Sequence, residues 1–251
     1  MCIRDRALCV AVTAVLSAVF VSPVGIQAQS AVTGLAAVFW MSNFSLWYFS
    51  SDYFSPHVQM NPYLHTWSLG VEEQFYILFP AVLVAASAVL ARRGRSRLSA
   101  SVVVALLSVA SLAFAMACTY GWFQGVRGAD SFAFYSVFTR IWEFGAGALL
   151  ALALESGRRA SVRTATVLGS AGLVVLLASV VLFAESTPFP GYLALVPVLG
   201  ATLVIGAGPR GPVSSLLSFR PLVHIGDLSY SWYLLPLIHI SEPTRLLSIS
   251  Y

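Results

Sequence analysis

Apolar stretches separated by short polar segments are the dominant pattern along this chain. Most hold about 20 residues, the length that an α-helix needs to cross the hydrocarbon core of a bilayer. We count seven or eight such stretches, at residues 7–24, 32–49, 68–91, 100–120, 132–154, 167–183 and 192–205 and from residue 222 onward. The pattern therefore predicts an all-α fold, a polytopic membrane helix bundle with about 7–8 transmembrane helices in one domain.

The first two apolar stretches each leave an alternative open. Residues 7–24 follow Arg4 and Arg6, so a secretory signal peptide competes with a transmembrane helix there. We prefer the transmembrane helix, because further spanning stretches follow closely. Residues 32–49 are expected to form one helix rich in Trp and Tyr, which are typical of a membrane interface, so this helix crosses the bilayer or lies partly at its surface.

Composition and charge agree with a membrane protein. Hydrophobic residues make up 58% of the chain and charged residues 10%, whereas a soluble domain carries about 25% charged residues. The chain contains arginine but no lysine, and most of the arginines lie in segments 92–97, 158–163 and 206–220. Two predicted spans separate each cluster from the next, which places all three on the cytoplasmic side by the positive-inside rule. Nucleic-acid binding is not expected, since it needs a continuous basic patch.

The position of the N-terminus conflicts with this topology. With residues 92–97 in the cytoplasm, the helix that begins near residue 68 starts on the outer side. If both earlier stretches cross the membrane, the N-terminus also lies outside, although it carries Arg4 and Arg6. Either residues 32–49 do not cross, or the terminal charges are not native.

Residues 62–80 concentrate the ionisable groups of the apolar region. They contain His65 and the adjacent carboxylates Glu72 and Glu73. Ionisable side chains at membrane depth are costly, so they indicate a functional site by default. We therefore place the candidate site in this segment.

The segment leads into one predicted helix at residues 68–91, with Thr66 or Ser68 as its N-cap. At 3.6 residues per turn, Ser68, Glu72 and Tyr76 share one face. The two adjacent carboxylates fall in the first two turns, near the positive end of the helix dipole, which favours their ionised form.

Two interpretations compete at each of these residues. His65 is a candidate general acid or base beside carboxylates, or it caps the turn before the helix. Glu72 and Glu73 are candidates for a substrate site, because an unpaired buried carboxylate is too costly to be kept without a role. The structural alternative is that they pair with Arg140 or with a backbone group.

A second polar pair, Arg140 and Glu143, lies three residues apart in an apolar stretch. The two side chains share a helix face and pair with each other, or Arg140 binds a phosphate oxygen through its forked guanidinium group. Residues 145–148 are all Gly or Ala, which predicts close approach of a neighbouring helix.

The other histidines and the cysteines predict no further chemistry. His57, His224 and His239 lack a carboxylate cluster nearby, and we interpret them as structural. The three cysteines form neither a disulfide framework nor a metal-binding spacing. No metal site is predicted.

Residues 64–76, Leu-His-Thr-Trp-Ser-Leu-Gly-Val-Glu-Glu-Gln-Phe-Tyr, resemble the signature of integral-membrane acyltransferase family 3, the OafA/YrhL-like O-acyltransferases. Four further segments are similar to the same family, at residues 42–44, 139–148, 190–200 and 225–234. On this resemblance we assign residues 7–237 to a partial acyltransferase membrane domain.

The resemblance implies transfer of an acyl group, usually acetyl, from acyl-CoA to a hydroxyl of a cell-surface or periplasmic glycan. The donor substrate would be acetyl-CoA, and the acceptor a glycan or lipid-linked saccharide such as lipopolysaccharide. The implied location is the bacterial inner membrane. The resemblance marks His65, Glu72 and Glu73 as catalytic candidates. It also marks Arg140 and Glu143, and together with Trp67 and Tyr76 we take them as substrate-binding candidates.

The chain departs from the family pattern at both ends. The family begins with two further helices that carry an arginine and a histidine, thought to bind the donor and transfer protons, and no such pair precedes residue 7. The segment after Tyr233 also differs, and the C-terminal SGNH-hydrolase domain of many members is absent. Residues 1–6 and 238–251 look like translated sequencing-adapter sequence. We therefore expect non-native ends and a chain that is inactive as it stands.

Two other functions are compatible with these residues. A transporter or flippase of lipid-linked glycans also places Glu, Arg and His at the membrane midplane, although it is typically built from internal repeats that this sequence lacks. A non-catalytic membrane subunit would need Glu72 and Glu73 for folding alone.

Overall fold

The computed structural model describes residues 3–20, 26–49, 61–92, 100–121, 128–155, 161–184 and 189–234, and these contain helices and turns but no strand. In chain order the helices are α1 (Ile3–Phe20), α2 (Ile26–Val38), α3 (Ser42–Phe49), α4 (Thr66–Arg92), α5 (Ala100–Thr119), α6 (Ala129–Tyr135), α7 (Ile141–Glu155), α8 (Val162–Leu182), a 3₁₀-helix (Tyr192–Ala194), α9 (Leu195–Ala207), α10 (Pro212–Leu217) and α11 (Arg220–Leu234). The predicted all-α class is confirmed.

The chain divides into two compact units. The first unit comprises residues 1–77, 126–137 and 227–251, and the second comprises residues 78–125 and 138–226. The first half of α4 therefore belongs to the first unit and its second half to the second.

Within the described residues, three helices are long and apolar enough to cross a membrane. The apolar segments are Thr66–Ala86 in α4, α5 and α8, with 21, 20 and 21 residues. At a rise of 1.5 Å per residue, each is about 30 Å long, which matches the hydrocarbon core. Two shorter apolar helical segments, Ala7–Ala18 and Tyr192–Ala207, lie in other predicted stretches. The full number of seven or eight spans stays a prediction.

The single helix predicted over residues 32–49 is wrong. The backbone leaves the helix after Val38, and Trp40 takes a left-handed conformation with φ 60° before α3 begins at Ser42. The carbonyl group of Trp40 accepts a hydrogen bond of 2.6 Å from the side-chain amide of Gln74. A side chain distant in sequence therefore supplies the hydrogen bond that the broken helix has lost.

The single span predicted over residues 132–154 is also broken. Helix α6 ends at Tyr135 and α7 begins at Ile141. In the second unit, the hydroxyl of Ser111 donates to the carbonyl oxygen of Phe138 at 2.6 Å and accepts from the N–H of Trp142 at 3.2 Å. One serine thus satisfies backbone groups on both sides of the start of α7, which makes a break in apolar surroundings tolerable.

Helix α4 begins at Thr66, two residues before the predicted start. Ser68 therefore lies inside the helix, and Thr66 is its first residue, with a hydroxyl that donates to the carbonyl oxygen of Tyr63 at 2.7 Å, so neither of the two predicted residues is the N-cap. The predicted helix 68–91 is otherwise confirmed.

Glycines allow close helix packing in the second unit. A Cβ atom on Gly145 would lie 2.0 Å from the Ser108 hydroxyl, and one on Gly172 would lie 2.7 Å from the carbonyl oxygen of Gly200. Because these positions have no Cβ atom, α5 can pack closely against α7, and α8 against α9. The predicted close approach is confirmed at Gly145 but not at Gly147, where a Cβ atom would meet nothing within 4 Å.

Candidate functional site

The turn before α4 fixes the position of His65. The side chain of Asn61 accepts a hydrogen bond from the N–H of Tyr63 and donates one to the Thr33 hydroxyl, both at 3.0 Å. The Tyr63 hydroxyl donates to the carbonyl oxygen of Val10, also at 3.0 Å. Burial, helped by Cys9, raises the pKa of Tyr63 to about 12, because the charged phenolate is poorly solvated there. Buried side chains therefore hold this turn in place.

The first turns of α4 present the predicted carboxylates. The Tyr76 hydroxyl donates a hydrogen bond of 2.7 Å to a carboxylate oxygen of Glu72, one helical turn earlier. Glu72 and Glu73 are both partly exposed, and Tyr76 is exposed. The predicted common face of Glu72 and Tyr76 is confirmed, and this bond limits the orientation of the Glu72 carboxylate.

Tyr233 of α11 contacts the residues around His65. Its hydroxyl donates to the carbonyl oxygen of His65 and is hydrogen-bonded to the Ser68 hydroxyl. The rings of His65 and Tyr233 meet edge to face, with 5.6 Å between centroids and 84° between planes. Sequence reasoning did not include Tyr233 among the site residues. The only signal in the sequence was its position in segment 225–234, one of the segments that carry the family resemblance.

Trp67 packs against the aromatic residues of α6. Its ring centroid lies 4.7 Å from that of Phe134 and 5.7 Å from that of Tyr135. These rings adjoin a small core formed by Leu46, Leu64 and Tyr135. The described contacts of Trp67 support the fold, and its substrate-binding role stays a prediction.

The buried side-chain amides of Asn43 and Gln74 stabilise the helices around the start of α4. The Asn43 side chain, 0% exposed, donates to Gln74 at 3.3 Å and to the carbonyl oxygen of Tyr135 at 3.0 Å. Gln74 donates back to the Asn43 side-chain oxygen at 2.9 Å. The pair joins α3, α4 and α6. Sequence reasoning missed it, and the available signal was a lone asparagine in an apolar stretch.

Arg140 and Glu143 lie in the second unit and pair with each other. The Arg140 Nε donates to both carboxylate oxygens of Glu143, at 3.2 and 3.1 Å, and the two side chains are 13% and 19% exposed. The guanidinium group also lies 5.4 Å from the ring centroid of Phe189, a cation–π contact. The structure therefore shows the mutual pairing that was one of the two predicted alternatives.

Comparison with known proteins identifies the family. The sequence profile described as "Acyltransferase domain" matches residues 1–248, nearly the whole chain. The chain belongs to this acyltransferase family, integral-membrane acyltransferase family 3.

Individual relatives agree with this family. The chain is 31% identical over 223 residues to YrhL of Bacillus subtilis, provisionally named a peptidoglycan O-acetyltransferase, covering 84% of this chain and 34% of YrhL. It is 30% identical to the peptidoglycan O-acetyltransferase OatA of Listeria monocytogenes, covering 83% of this chain and 34% of that protein. It is 29% identical to the O-acetyltransferase OatA of Staphylococcus aureus, covering 80% and 33%. The chain thus spans about a third of these relatives. No solved structure matches it significantly.

The predicted site residues of this family member fall in two groups. The first unit brings together His65, Trp67, Glu72, Glu73 and Tyr76 on or beside the start of α4. The second unit holds Arg140 and Glu143.

The other three histidines were interpreted as structural from the sequence. His224 is exposed on α11, and His57 and His239 lie outside the described residues. Within the described residues, no three metal-binding side chains cluster.

Proposed function

We propose that the protein containing this chain transfers an acetyl group from acetyl-CoA to a hydroxyl of a bacterial cell-envelope glycan. Family membership over residues 1–248 is the observation that carries the proposal. Peptidoglycan is the first acceptor to test, because two of the relatives above are named for it. Lipopolysaccharide and lipid-linked saccharides are the next. The three helices of spanning length among the described residues support a multi-pass protein of the inner membrane.

The chemistry requires a group that handles one proton. The acceptor hydroxyl oxygen attacks the thioester carbonyl carbon, a C–O bond forms and the C–S bond breaks. Coenzyme A leaves as the thiol and carries the proton that the hydroxyl loses. A carboxylate or histidine beside the acceptor hydroxyl can orient it and relay this proton.

Glu72 is the residue best placed for this role within the first unit. Its carboxylate is partly exposed, and Tyr76 holds one of its oxygens at 2.7 Å, which leaves the other oxygen to accept a hydrogen bond from a hydroxyl. Glu73 and His65 are the neighbouring candidates. In this proposal Glu72 orients the acceptor, Glu73 adds a second acceptor of hydrogen bonds, and His65 relays the proton.

Arg140 is proposed to offset negative charge on the donor. Its pairing with Glu143 already neutralises much of its charge, so a phosphate oxygen would have to compete with that carboxylate. Glu143 would then tune the affinity for the donor and keep the guanidinium group in position.

The test is acetyl transfer from isotopically labelled acetyl-CoA to purified peptidoglycan fragments, followed by mass spectrometry of the glycan. Because the chain spans about a third of its relatives, the assay uses the complete reading frame of the source gene in proteoliposomes. We expect a labelled ester on the glycan and an equal amount of coenzyme A released. Glycan movement across the vesicle membrane without acetylation would favour a transporter and overturn the proposal.

The 251-residue chain is the second arm of the assay. We propose that it is inactive alone, because it spans about a third of the length of the relatives that it matches. Acetylation by the chain alone would refute this inactivity while supporting acyl transfer. No reaction with any acceptor, by either protein, would favour a non-catalytic subunit.

A further inference from the structure

A cavity of about 390 Å³ lies in the second unit, at the N-terminal end of α8. The helices α8, α9, α10 and α11 all contribute to its wall, and the loop between α9 and α10 contributes Arg210. Among the described residues, the lining also contains Ser214 and Ser218, and its other members are small or apolar. The described lining thus combines an arginine, two serines and an apolar wall.

Close backbone packing forms this wall. A Cβ atom on Gly169 would lie 3.3 Å from the Cβ of Val213, so α10 lies tightly against α8. Gly211, with φ 104°, packs in the same way, since its Cβ atom would lie 3.3 Å from the backbone nitrogen of Thr166. Only glycine readily adopts that conformation at so close a contact. These close contacts at Gly169 and Gly211 therefore fix how α8 and α10 pack to form the cavity wall.

From the length of α8, we expect the cavity to lie where a membrane helix meets the lipid headgroups. Helix α8 has 21 residues and is about 31 Å long, the thickness of the hydrocarbon core, so Ala165 in its first turn is near one boundary. Arg210 is exposed and belongs to a segment that the positive-inside rule places in the cytoplasm. A guanidinium group at this depth is suited to the phosphate of a cytoplasmic-leaflet lipid.

Exposed apolar side chains continue the cavity along the unit. Ile205, Leu217 and Val223 line it and are 60%, 46% and 46% exposed. A soluble phosphate ion would leave these side chains uncovered, whereas an acyl chain would cover them. We propose that the cavity binds an anionic phospholipid, with its phosphate at Arg210, Ser214 and Ser218 and an acyl chain along Leu217 and Val223. This inference does not depend on the proposed acyl transfer.

The test is native mass spectrometry of the purified 251-residue chain with phosphatidylglycerol or phosphatidylcholine of identical acyl chains. We expect preferential retention of phosphatidylglycerol, reduced about fivefold by Arg210→Gln, since one cation near a membrane surface contributes about that factor. Arg210→Lys should keep most of the retention. Arg163→Gln is the matched control, because Arg163 is exposed on α8 but does not line the cavity.

Four outcomes would count against the proposal. Equal losses in Arg210→Gln and Arg163→Gln would indicate general surface charge. Complete competition by millimolar inorganic phosphate would indicate a site for soluble phosphate, and competition by acetyl-CoA at its assay concentration would assign the cavity to the donor. Val223→Ser, with unchanged helix content by circular dichroism, should weaken lipid retention but leave any phosphate binding unchanged. An unchanged lipid retention in that variant would remove the acyl chain from the proposal.

Discussion

The buried amide pair of Asn43 and Gln74 should be energetically coupled. Asn43→Ala removes the two donated hydrogen bonds to Gln74 and to the Tyr135 carbonyl, together with the bond accepted from Gln74. Gln74→Ala removes the same two amide bonds and the donation to the Trp40 carbonyl. An unsatisfied buried polar group costs about 1–3 kcal/mol. Each single variant should therefore lose about 2–3 kcal/mol of unfolding free energy.

The double variant separates the pair from its surroundings. Because both single substitutions break the amide–amide bonds, their sum counts those bonds twice, and Asn43→Ala/Gln74→Ala should cost less than that sum. Polar pairs in membrane proteins couple by about 0.6 kcal/mol on average and up to about 1.7. Because the two amides exchange reciprocal hydrogen bonds and Asn43 is fully buried, we expect a coupling free energy of about 1 kcal/mol.

The assay is reversible unfolding in mixed micelles with increasing sodium dodecyl sulfate, followed by far-ultraviolet circular dichroism. Tyr48→Phe is the control, since Tyr48 lies on the same helix α3 and is 81% exposed. It should change the unfolding free energy by less than about 0.5 kcal/mol. Additive effects of the two amide substitutions, within about 0.3 kcal/mol, would refute the reasoning.

Three further predictions concern packing, pH and the neighbour of His65. Gly145→Ala should destabilise the fold by about 1–3 kcal/mol through its clash with Ser108, whereas Gly147→Ala on the same helix should stabilise it by up to about 1 kcal/mol; equal thermal shifts would contradict the packing. Because the folded-state pKa of Tyr63 lies above the usual 10, at about 12, its contribution to stability should be complete below pH 10 and lost as the pH rises to about 12. Tyr63→Phe should flatten that fall in urea titrations, and an unchanged slope would reject the assignment. Tyr233→Phe should lower the unfolding free energy by about 1 kcal/mol, because it removes hydrogen bonds but keeps the ring; an unchanged midpoint would show that the hydroxyl contributes nothing.

Local sequence spacing predicted the short-range contacts of the site. The bond between Tyr76 and Glu72 spans four residues of α4 and follows from the geometry of a helix face. The pair of Arg140 and Glu143 spans three residues, and it joins the residue that directly precedes α7 to the first turn of that helix. The start of helix α4, which carries Glu72 and Glu73, was also predicted to within two residues, since a long apolar run follows its polar residues 72–74.

The two helix breaks could not be predicted from hydropathy. Both lie in apolar stretches that are long enough for one helix, at Trp40 and between Tyr135 and Ile141. What stabilises them is a set of hydrogen bonds from residues distant in sequence, namely Gln74 to the first break and Ser111 to the second. Such pairing is a tertiary property. Only the lone polar residues within apolar stretches point to it.

The most direct test of the central claim is the acetyl-transfer rate of the complete protein with Glu72→Gln, measured as glycan ester formed per unit time, with coenzyme A release as the stoichiometric check. Glu155→Gln is the matched control, because Glu155 is an exposed carboxylate at the end of α7. If Glu72 orients the acceptor and assists proton removal, kcat/KM should fall by about 10²-fold or more in Glu72→Gln and stay unchanged in Glu155→Gln. Full activity of Glu72→Gln, in a folded and membrane-inserted protein, would contradict the proposed site.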